Sequence, residues 1–199
     1  DPVFVQIIEG KTHDAAGMRR RGDQWLADVR PGATGYLGTT AGTTADGHAI
    51  AIVRFATEQD ARANSARPEQ GAWWAETEKC YDGPPTFTES SDVTELLGGG
   101  SNDAGFVQVM RSSGVDRSQV ERLDESLSKV AAQRPELLGV LRVWTGPDRY
   151  VEAAYFSSEA AARTGEQAEM PEELRAAMAD FEEIMASTEF LDLTEPQIH

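Results

Sequence analysis

FVQII at residues 4–8 returns as FVQVM at residues 106–110, which lies 102 positions further along the chain. Three other landmarks recur in the same order at offsets between 101 and 104: Arg30-Pro31 and Arg134-Pro135, Phe55 and Phe156, Pro68-Glu69 and Pro171-Glu172. Four landmarks at a nearly constant offset indicate an internal duplication.

One copy gives the order of the elements. Residues 3–9 are β-branched and aromatic and predict a strand. His13-Asp14 is a signal for the start of a helix, and the residues that follow, to about Val29, carry apolar side chains at helical spacing. Asp46-Gly47, between two alternating stretches, predicts a hairpin. Residues 58–67 and 68–81 then predict two helical segments, and residues 86–97 contain the last strand. The second copy repeats this β-α-β-β-α-β order, with late helices predicted over residues 158–168 and 171–187. The order is typical of a four-stranded ferredoxin-like sheet with both helices on one face.

The predicted fold class is α+β, with two tandem ferredoxin-like units. They comprise residues 1–97 and 104–199, and the glycine-rich residues 98–103 are expected to form a linker. The strands are apolar on both faces, which indicates sheets covered on both faces. We therefore expect the two sheets to pack against each other as a pseudo-dimeric barrel, which a monomer suffices to close. Whether the chain also associates with other chains stays open.

The composition bears on the class of partner. The net charge of −16 disfavours nucleic acid, and no apolar run approaches the roughly 18–20 residues of a membrane span. The single cysteine, Cys80, cannot form an internal disulfide, and no signal peptide is visible at the N-terminal end. These features fit a cytoplasmic protein with neither nucleic acid nor a membrane as a partner.

The tandem units, the FVQ openings and the stretch RPEQGAWW at residues 67–74 resemble the dimeric α+β barrel superfamily, which includes the antibiotic-biosynthesis-monooxygenase-like proteins. The resemblance implies a ligand cavity between the sheet and helices of one unit. Members include cofactor-free oxygenases, haem-degrading oxygenases and lactone isomerases. Haem-degrading members carry an Asn, Trp, His set, whereas this chain has Gln6 on its first strand and no well-placed proximal histidine. No cofactor is therefore expected.

Glu152 is the leading candidate for acid–base chemistry. It lies on a strand in which Tyr150, Glu152 and Phe156 share a face, and that face is expected to point toward the helices. A buried carboxylate must be paired, protonated or functional, so either Arg142 or Arg149 is expected beside it if its role is structural. The aligned residue of the first unit is Ala51, so the acid belongs to one unit only.

His48 is the second candidate catalyst, because it begins the third strand near the mouth of the first unit and histidine titrates near neutral pH. The alternative is an exposed histidine at the end of a strand. None of the three histidines stands three or four residues from another, so no helical metal pair exists and no metal site is predicted.

Candidate ligand-binding residues are amides and aromatics. Gln6 and Gln108 occupy matching positions in apolar strands, where they serve either as a shared structural hydrogen bond or as ligand contacts. Trp73 and Trp74 are adjacent on a helix and point in directions about 100° apart, so one can line a cleft while the other packs in the core. Trp144 lies on a strand of the second unit. Core packing is the alternative for each tryptophan.

The fold resemblance and these residues favour a small-molecule-binding protein, as a cofactor-independent oxygenase or isomerase acting on an aromatic or polyketide-like compound. In the first unit we expect His48 and at least one of Trp73 and Trp74 at the wall of a cavity; in the second, Glu152 and Gln108. The alternative is a non-catalytic binding or stress-related barrel protein with vestigial pockets.

Overall fold

A computed structural model describes residues 2–199, which form two five-stranded antiparallel sheets and seven α-helices. The chain divides into two compact units. Unit 1 comprises the chain up to Asp92 together with Glu195–His199, and unit 2 comprises Val93–Thr194. The predicted fold class, α+β with two tandem ferredoxin-like units, is confirmed.

Unit 1 follows the predicted order of elements. They are β1 (Phe4–Lys11), α1 (Ala15–Gln24) continued by a π-helical turn (Trp25–Val29), β2 (Tyr36–Thr43), β3 (His48–Phe55), α2 (Glu58–Ser65), α3 (Pro68–Glu78), β4 (Thr86–Ser90) and, from the end of the chain, β10 (Gln197–Ile198). The sheet order is β10-β2-β3-β1-β4. The side chain of Asp14 caps α1 by accepting the amide of Gly17, as the sequence predicts for this helix start.

Unit 2 repeats this order. Its elements are β5 (Val93–Leu96), β6 (Phe106–Ser112), α4 (Arg117–Val130), β7 (Leu137–Gly146), β8 (Arg149–Phe156), α5 (Glu159–Gln167), α6 (Glu172–Arg175), α7 (Met178–Ala186) and β9 (Thr188–Leu193). The sheet order is β5-β7-β8-β6-β9. The helix predicted over residues 171–187 is divided into α6 and α7.

Each sheet has a fifth strand that the sequence analysis does not predict. Strand β5 follows β4 directly in the chain yet pairs with β7 of unit 2, and β10 follows unit 2 yet pairs with β2 of unit 1. The observed boundaries therefore differ from the predicted ones at residues 93–97 and 195–199. The glycine-rich residues 98–103, expected as a linker, fall inside unit 2.

A glycine in each unit permits close approach of the chain near its fifth strand. A Cβ atom on Gly38 would lie 2.4 Å from the carbonyl oxygen of His199, and one on Gly139 would lie 1.6 Å from that of Gly99. Both glycines follow a register shift, in β2 and β7 respectively. Because neither carbonyl could tolerate a side chain there, glycine is required at both positions.

The central strands β1 and β6 are buried on both faces, as their two-sided apolar pattern predicts. In unit 2, Val107 and Val109 on one face of β6 are as fully buried as Phe106 on the other. The face carrying Phe106 packs against α5, through Ala162. Within residues 2–199, no helix is both long enough and apolar enough to cross a membrane.

Candidate functional site

A cavity of about 760 Å³ lies between the sheet and the helices of unit 2. Strands β6 to β9 and helices α4 to α7 all contribute to its walls, and most of its lining side chains are apolar, among them Met110, Leu127, Phe156 and Leu174. Volumes of roughly 300–1000 Å³ and mostly apolar walls are typical of sites for small organic molecules.

A row of four side chains crosses the sheet at the floor of this cavity. Strand pairing aligns them in the order Arg142, Glu152, Met110 and Phe190 across β7, β8, β6 and β9. Residues directly opposite one another in antiparallel strands share a face of the sheet, so the whole row points toward the helices. All four line the cavity, and two of them are charged.

Arg142 pairs with two carboxylates, one in this row and one on helix α4. Its Nε donates to Oε1 of Glu152 at 2.8 Å, and its Nη2 lies 2.6 Å from the same oxygen. Its Nη1 and Nη2 also donate to the two carboxylate oxygens of Asp124 on α4, at 2.6 and 2.8 Å. The partner of Glu152 is therefore Arg142 rather than Arg149, and Asp124 holds the guanidinium from the opposite side in a bidentate pair.

This arrangement shifts the protonation equilibria of the pair. Burial raises the pKa of the Glu152 carboxyl, Arg142 acts in the opposite direction, and Asp124 raises it further. Burial disfavours the charge on Arg142, but Glu152 and Asp124 together hold its pKa above the ordinary value. A carboxyl with a raised pKa retains a proton more readily than an ordinary glutamate, which suits it to proton transfer near neutral pH.

Tyr150 adds a hydrogen-bond donor beside the row. It lies two residues before Glu152 on β8 and also lines the cavity. Burial raises its pKa to about 12, so the phenol stays protonated at neutral pH. Its hydroxyl bonds to Ser112, whose Oγ in turn lies 2.7 Å from Oγ1 of Thr188.

Gln108 lies in the next row of the sheet and takes part in a second polar network. Its Nε2 donates to Oδ1 of Asp192 at 3.1 Å, and Nη2 of Arg163 donates to Oδ2 of the same carboxylate at 2.7 Å. All three residues line the cavity. The amide and the arginine therefore donate to the two oxygens of one carboxylate.

Unit 1 contains the same network. Nε2 of Gln6 donates to Oε1 of Glu89 at 3.3 Å, and Nη1 of Arg62 donates to the same oxygen at 2.8 Å. In both units the arginine also stacks on a phenylalanine of the first strand, at 5.4 Å from Phe4 and 5.3 Å from its counterpart in unit 2. Because the network is duplicated, a structural role explains Gln6 and Gln108; a role in ligand binding stays a prediction.

Trp144 packs in the core beside the cavity. It is buried, and its ring centroid lies 5.1 Å from that of Tyr150. The guanidinium of Arg117 stacks on it at 4.5 Å. Trp144 is not one of the residues that line the cavity, but it packs in one cluster with Val120, Tyr150 and Ile184, which do; its role in ligand binding stays a prediction.

The two tryptophans of α3 are half-buried on unit 1. Nε1 of Trp73 donates to the backbone carbonyl of Arg21 at 2.7 Å, and the guanidinium of the same arginine stacks on its ring. The ring of Trp74 contacts Tyr81 and Phe87, with centroids 6.1 and 5.3 Å away. Apart from each other, the two rings have different neighbours; that one packs in the core while the other lines a cleft stays a prediction.

His48 lies on the face of the sheet that points away from the helices of unit 1. Ala49 and Phe55 lie six residues apart on the strand and therefore share a face, and Phe55 packs against α2 on that face. His48 is adjacent to Ala49, so its side chain points to the opposite face. Its Nε2 lies 3.0 Å from Oε1 of Glu9. The expectation that His48 lines a cavity between sheet and helices is wrong, because strand alternation turns it to the other face.

Asp124 is the principal site residue that the sequence analysis misses. The helix α4 carries Val120, Leu123 and Leu127 on its apolar stripe, and Asp124 stands four residues after the first of these. An acid at i+4 within an apolar stripe points to the interior. That signal, together with an arginine on an apolar strand, would have predicted the buried pair.

The described residues offer no metal site. Within residues 2–199, no three side chains of His, Cys, Asp or Glu lie close enough together to hold a metal ion. The polar groups of the cavity are carboxylates, guanidinium groups, two amides and a phenol. These groups supply proton transfer and hydrogen bonds.

Comparison with solved structures identifies the fold. A protein from Lactobacillus acidophilus provisionally named a monooxygenase aligns over 100% of both chains, with a TM-score of 0.73 and 10% identity. A provisionally named monooxygenase from Fusobacterium nucleatum aligns with a TM-score of 0.74 and 9% identity, over 100% of this chain and 94% of its own. An anthrone oxidase-like protein aligns with a TM-score of 0.66 and 11% identity, over 100% and 93%.

These likenesses confirm the resemblance to the antibiotic-biosynthesis-monooxygenase-like fold, with both tandem units present in one chain. At such low identity they establish the fold and leave the activity open. No protein-family model matches the sequence, and no curated protein matches it.

Proposed function

We propose that unit 2 binds a small aromatic or polyketide-like molecule and that Glu152 transfers a proton to or from it, as a step in cofactor-independent oxidation or isomerisation. The observation that carries this proposal is a carboxylate, 9% exposed, on the wall of a cavity of about 760 Å³. The apolar walls suit the flat body of such a molecule, and the polar row supplies the chemistry.

The proposed chemistry begins with deprotonation. Glu152 accepts a proton from an acidic C–H or O–H of the ligand, and the raised pKa of its carboxyl favours this transfer. Tyr150, a protonated phenol, can donate a hydrogen bond to the oxygen on which negative charge develops. In an isomerisation the proton returns to another carbon, and in an oxidation the deprotonated ligand gives its electrons to dioxygen from solution.

The proteins of similar fold support an oxidation. Two carry provisional names as monooxygenases, and a third is described as anthrone oxidase-like. Oxidation of an anthrone replaces two hydrogens on one carbon by an oxygen atom of dioxygen and releases the other oxygen as water. This reaction needs a base and no resident cofactor, which agrees with the groups on the cavity wall.

Oxygen uptake in the presence of anthrone tests this proposal. Glu152→Gln keeps the shape of the side chain and removes its basicity, so turnover should fall by about 10²–10⁴-fold while the far-UV circular dichroism spectrum is unchanged. The matched control is Glu9→Gln, because Glu9 is a carboxylate of unit 1 that is also 9% exposed. It should leave turnover within about twofold of wild type, since it does not line the cavity. Equal losses in the two variants would contradict a catalytic role for Glu152.

The alternative is non-catalytic binding in the same cavity. The contacts of Glu152 with Arg142 favour it, because an ion pair of this kind is a complete structural explanation for a buried carboxylate. In that case Glu152→Gln changes stability, and no substrate of this class is consumed by the wild-type protein.

A further inference from the structure

The charged groups at the floor of the cavity do not balance. Two carboxylates, Glu152 and Asp124, share a single guanidinium group, that of Arg142. Glu152 is 9% exposed and Arg142 is 5% exposed, so water does little to compensate the difference. With all three groups ionised, this cluster carries one excess negative charge in an apolar cavity.

Arg142 does not offer a free face to an anionic ligand. All three of its side-chain nitrogens contact a carboxylate oxygen, two of them Asp124 and two of them Glu152. An incoming carboxylate or phosphate would have to displace one of these acids. The result would be a buried carboxylate without a partner, which is a costly arrangement.

The other arginines that line the cavity are also engaged. Nη2 of Arg163 lies 2.7 Å from Oδ2 of Asp192, and its Nη1 lies 3.2 Å from Oε1 of Glu166. Arg134 is paired with Glu136. Within residues 2–199, every arginine on the cavity wall therefore contacts at least one carboxylate.

One acceptor at the floor is left for a ligand. Both contacts from Arg142 fall on Oε1 of Glu152, and within the described part of the chain no hydrogen bond or ion pair reaches Oε2. Glu152 lines the cavity, and a carboxylate oxygen without a partner there is a strong acceptor for a charged donor. The free acceptor therefore belongs to one of the two carboxylates that share the single guanidinium group.

We propose that the ligand of unit 2 is an organic cation, a protonated amine on an apolar or aromatic body, whose N–H group donates to Oε2 of Glu152. This rests on the proposed function in that it requires unit 2 to bind a small molecule. The ammonium supplies the missing positive charge, and the body of the ligand packs against Leu123, Leu127 and Phe156. Anionic molecules of the same shape are excluded.

Three probes with one aromatic body and different charge test this inference. They are 1-naphthylmethylamine, a cation at pH 7, 1-naphthylmethanol, which is neutral, and 1-naphthoate, an anion; the dissociation constant of each is measured by calorimetry. The amine should bind at least about tenfold more tightly than the alcohol, since a charge-assisted hydrogen bond exceeds a neutral one by about that factor. The anion should bind more weakly than both.

Glu152→Gln should remove the preference for the amine and leave the affinity for the alcohol within about threefold of wild type. Glu9→Gln is the matched control and should keep the full preference. Asp124→Asn is the second variant; it keeps Oε2 but removes the excess charge, so the preference should shrink.

The outcomes separate the two proposals. Equal binding of the three probes, tighter binding of the anion, or a preference that survives Glu152→Gln overturns the inference and leaves a binding cavity in place. If none of the three probes binds to the wild-type protein, the proposed binding function fails together with the inference.

Discussion

The two units share a scaffold and differ in one row of side chains. The row reads Ala41-Ala51-Ile8-Phe87 in unit 1 and Arg142-Glu152-Met110-Phe190 in unit 2. The neighbouring row, which carries Gln6 in one unit and Gln108 in the other, has the same hydrogen-bonded network in both. The duplication thus separates interactions that both units share from a charged cluster that only unit 2 has.

The largest expected effect comes from removing the cation of that row. Arg142→Met keeps much of the volume and leaves two carboxylates without a partner, so the free energy of unfolding should fall by about 3–5 kcal/mol at pH 7. The loss should be smaller near pH 4, because the raised pKa of the Glu152 carboxyl lets it take up a proton there. Urea denaturation at both pH values measures it.

The control is Arg62→Met in unit 1, because the side chain of Arg62 also pairs with two carboxylates but is 51% exposed. Exposed pairs contribute about 0–1 kcal/mol, so this variant should be nearly as stable as wild type. A similar loss in both variants would mean that the charged row of unit 2 contributes no more to stability than an exposed ion pair does.

The double variant Arg142→Ala/Glu152→Ala gives unit 2 the alanines of unit 1. Removing Glu152 as well leaves one fewer unpaired charge, so the double variant should be more stable than the sum of the single effects predicts, by roughly 0.5–3 kcal/mol. A double-mutant cycle on unfolding free energies measures this coupling. Strict additivity would show that the two residues act independently.

Glu152 should also give the protein a particular pH dependence. Since burial raises its pKa, the folded state binds the proton more tightly than the unfolded state does. The free energy of unfolding should then fall as the pH rises from about 4.5, the ordinary value for glutamate, through the folded pKa. Asp124 adds to this shift, Arg142 opposes it, and Tyr150 does not titrate in this range.

Comparison of wild type with Glu152→Gln between pH 4 and pH 9 isolates this contribution. The free energy of unfolding of the wild type should fall relative to that of Glu152→Gln as the pH rises. A difference that is constant with pH would mean that burial does not shift the titration of Glu152.

The smallest effects concern the duplicated network. Gln108→Leu and Gln6→Leu should each lower the free energy of unfolding by about 0.5–1.5 kcal/mol, the usual contribution of a hydrogen bond. Neither should change the affinity of unit 2 for 1-naphthylmethylamine. Isothermal calorimetry on both variants checks this, and a loss of affinity confined to Gln108→Leu would assign that amide to the ligand.

The sequence predicts most of the fold because the repeat and the local signals agree. Each local feature is encoded by residues that are neighbours in the sequence: the hairpin at Asp46-Gly47, the helix start at Asp14 and the alternation of each strand. The fifth strands are not encoded locally in this way. Val93–Leu96 and Gln197–Ile198 are short, and their pairing depends on partners far away in the chain, so no local pattern indicates it. Gly38 and Gly139, at an offset of 101, are the only trace of it in the sequence.

The candidate site is predictable only in part. The alternation of β8 correctly indicates that Glu152 shares a face with Tyr150, and the apolar context correctly predicts an arginine beside it. The prediction for His48 is wrong because the location of a residue at the end of a strand does not determine on which face of the sheet its side chain lies. The bidentate contact of Asp124 depends on the approach of α4 to the sheet, which the sequence does not specify.

The fifth strand of unit 1 has a consequence for biosynthesis. Gln197 pairs with Ala41, which precedes it by 156 residues, so a ribosome must translate all of unit 2 before the sheet of unit 1 can be completed. At about 5–20 residues per second this takes roughly 8–30 s, during which β2 is an unprotected edge. During this interval the nascent chain is open to pairing with a neighbouring chain on the same messenger RNA.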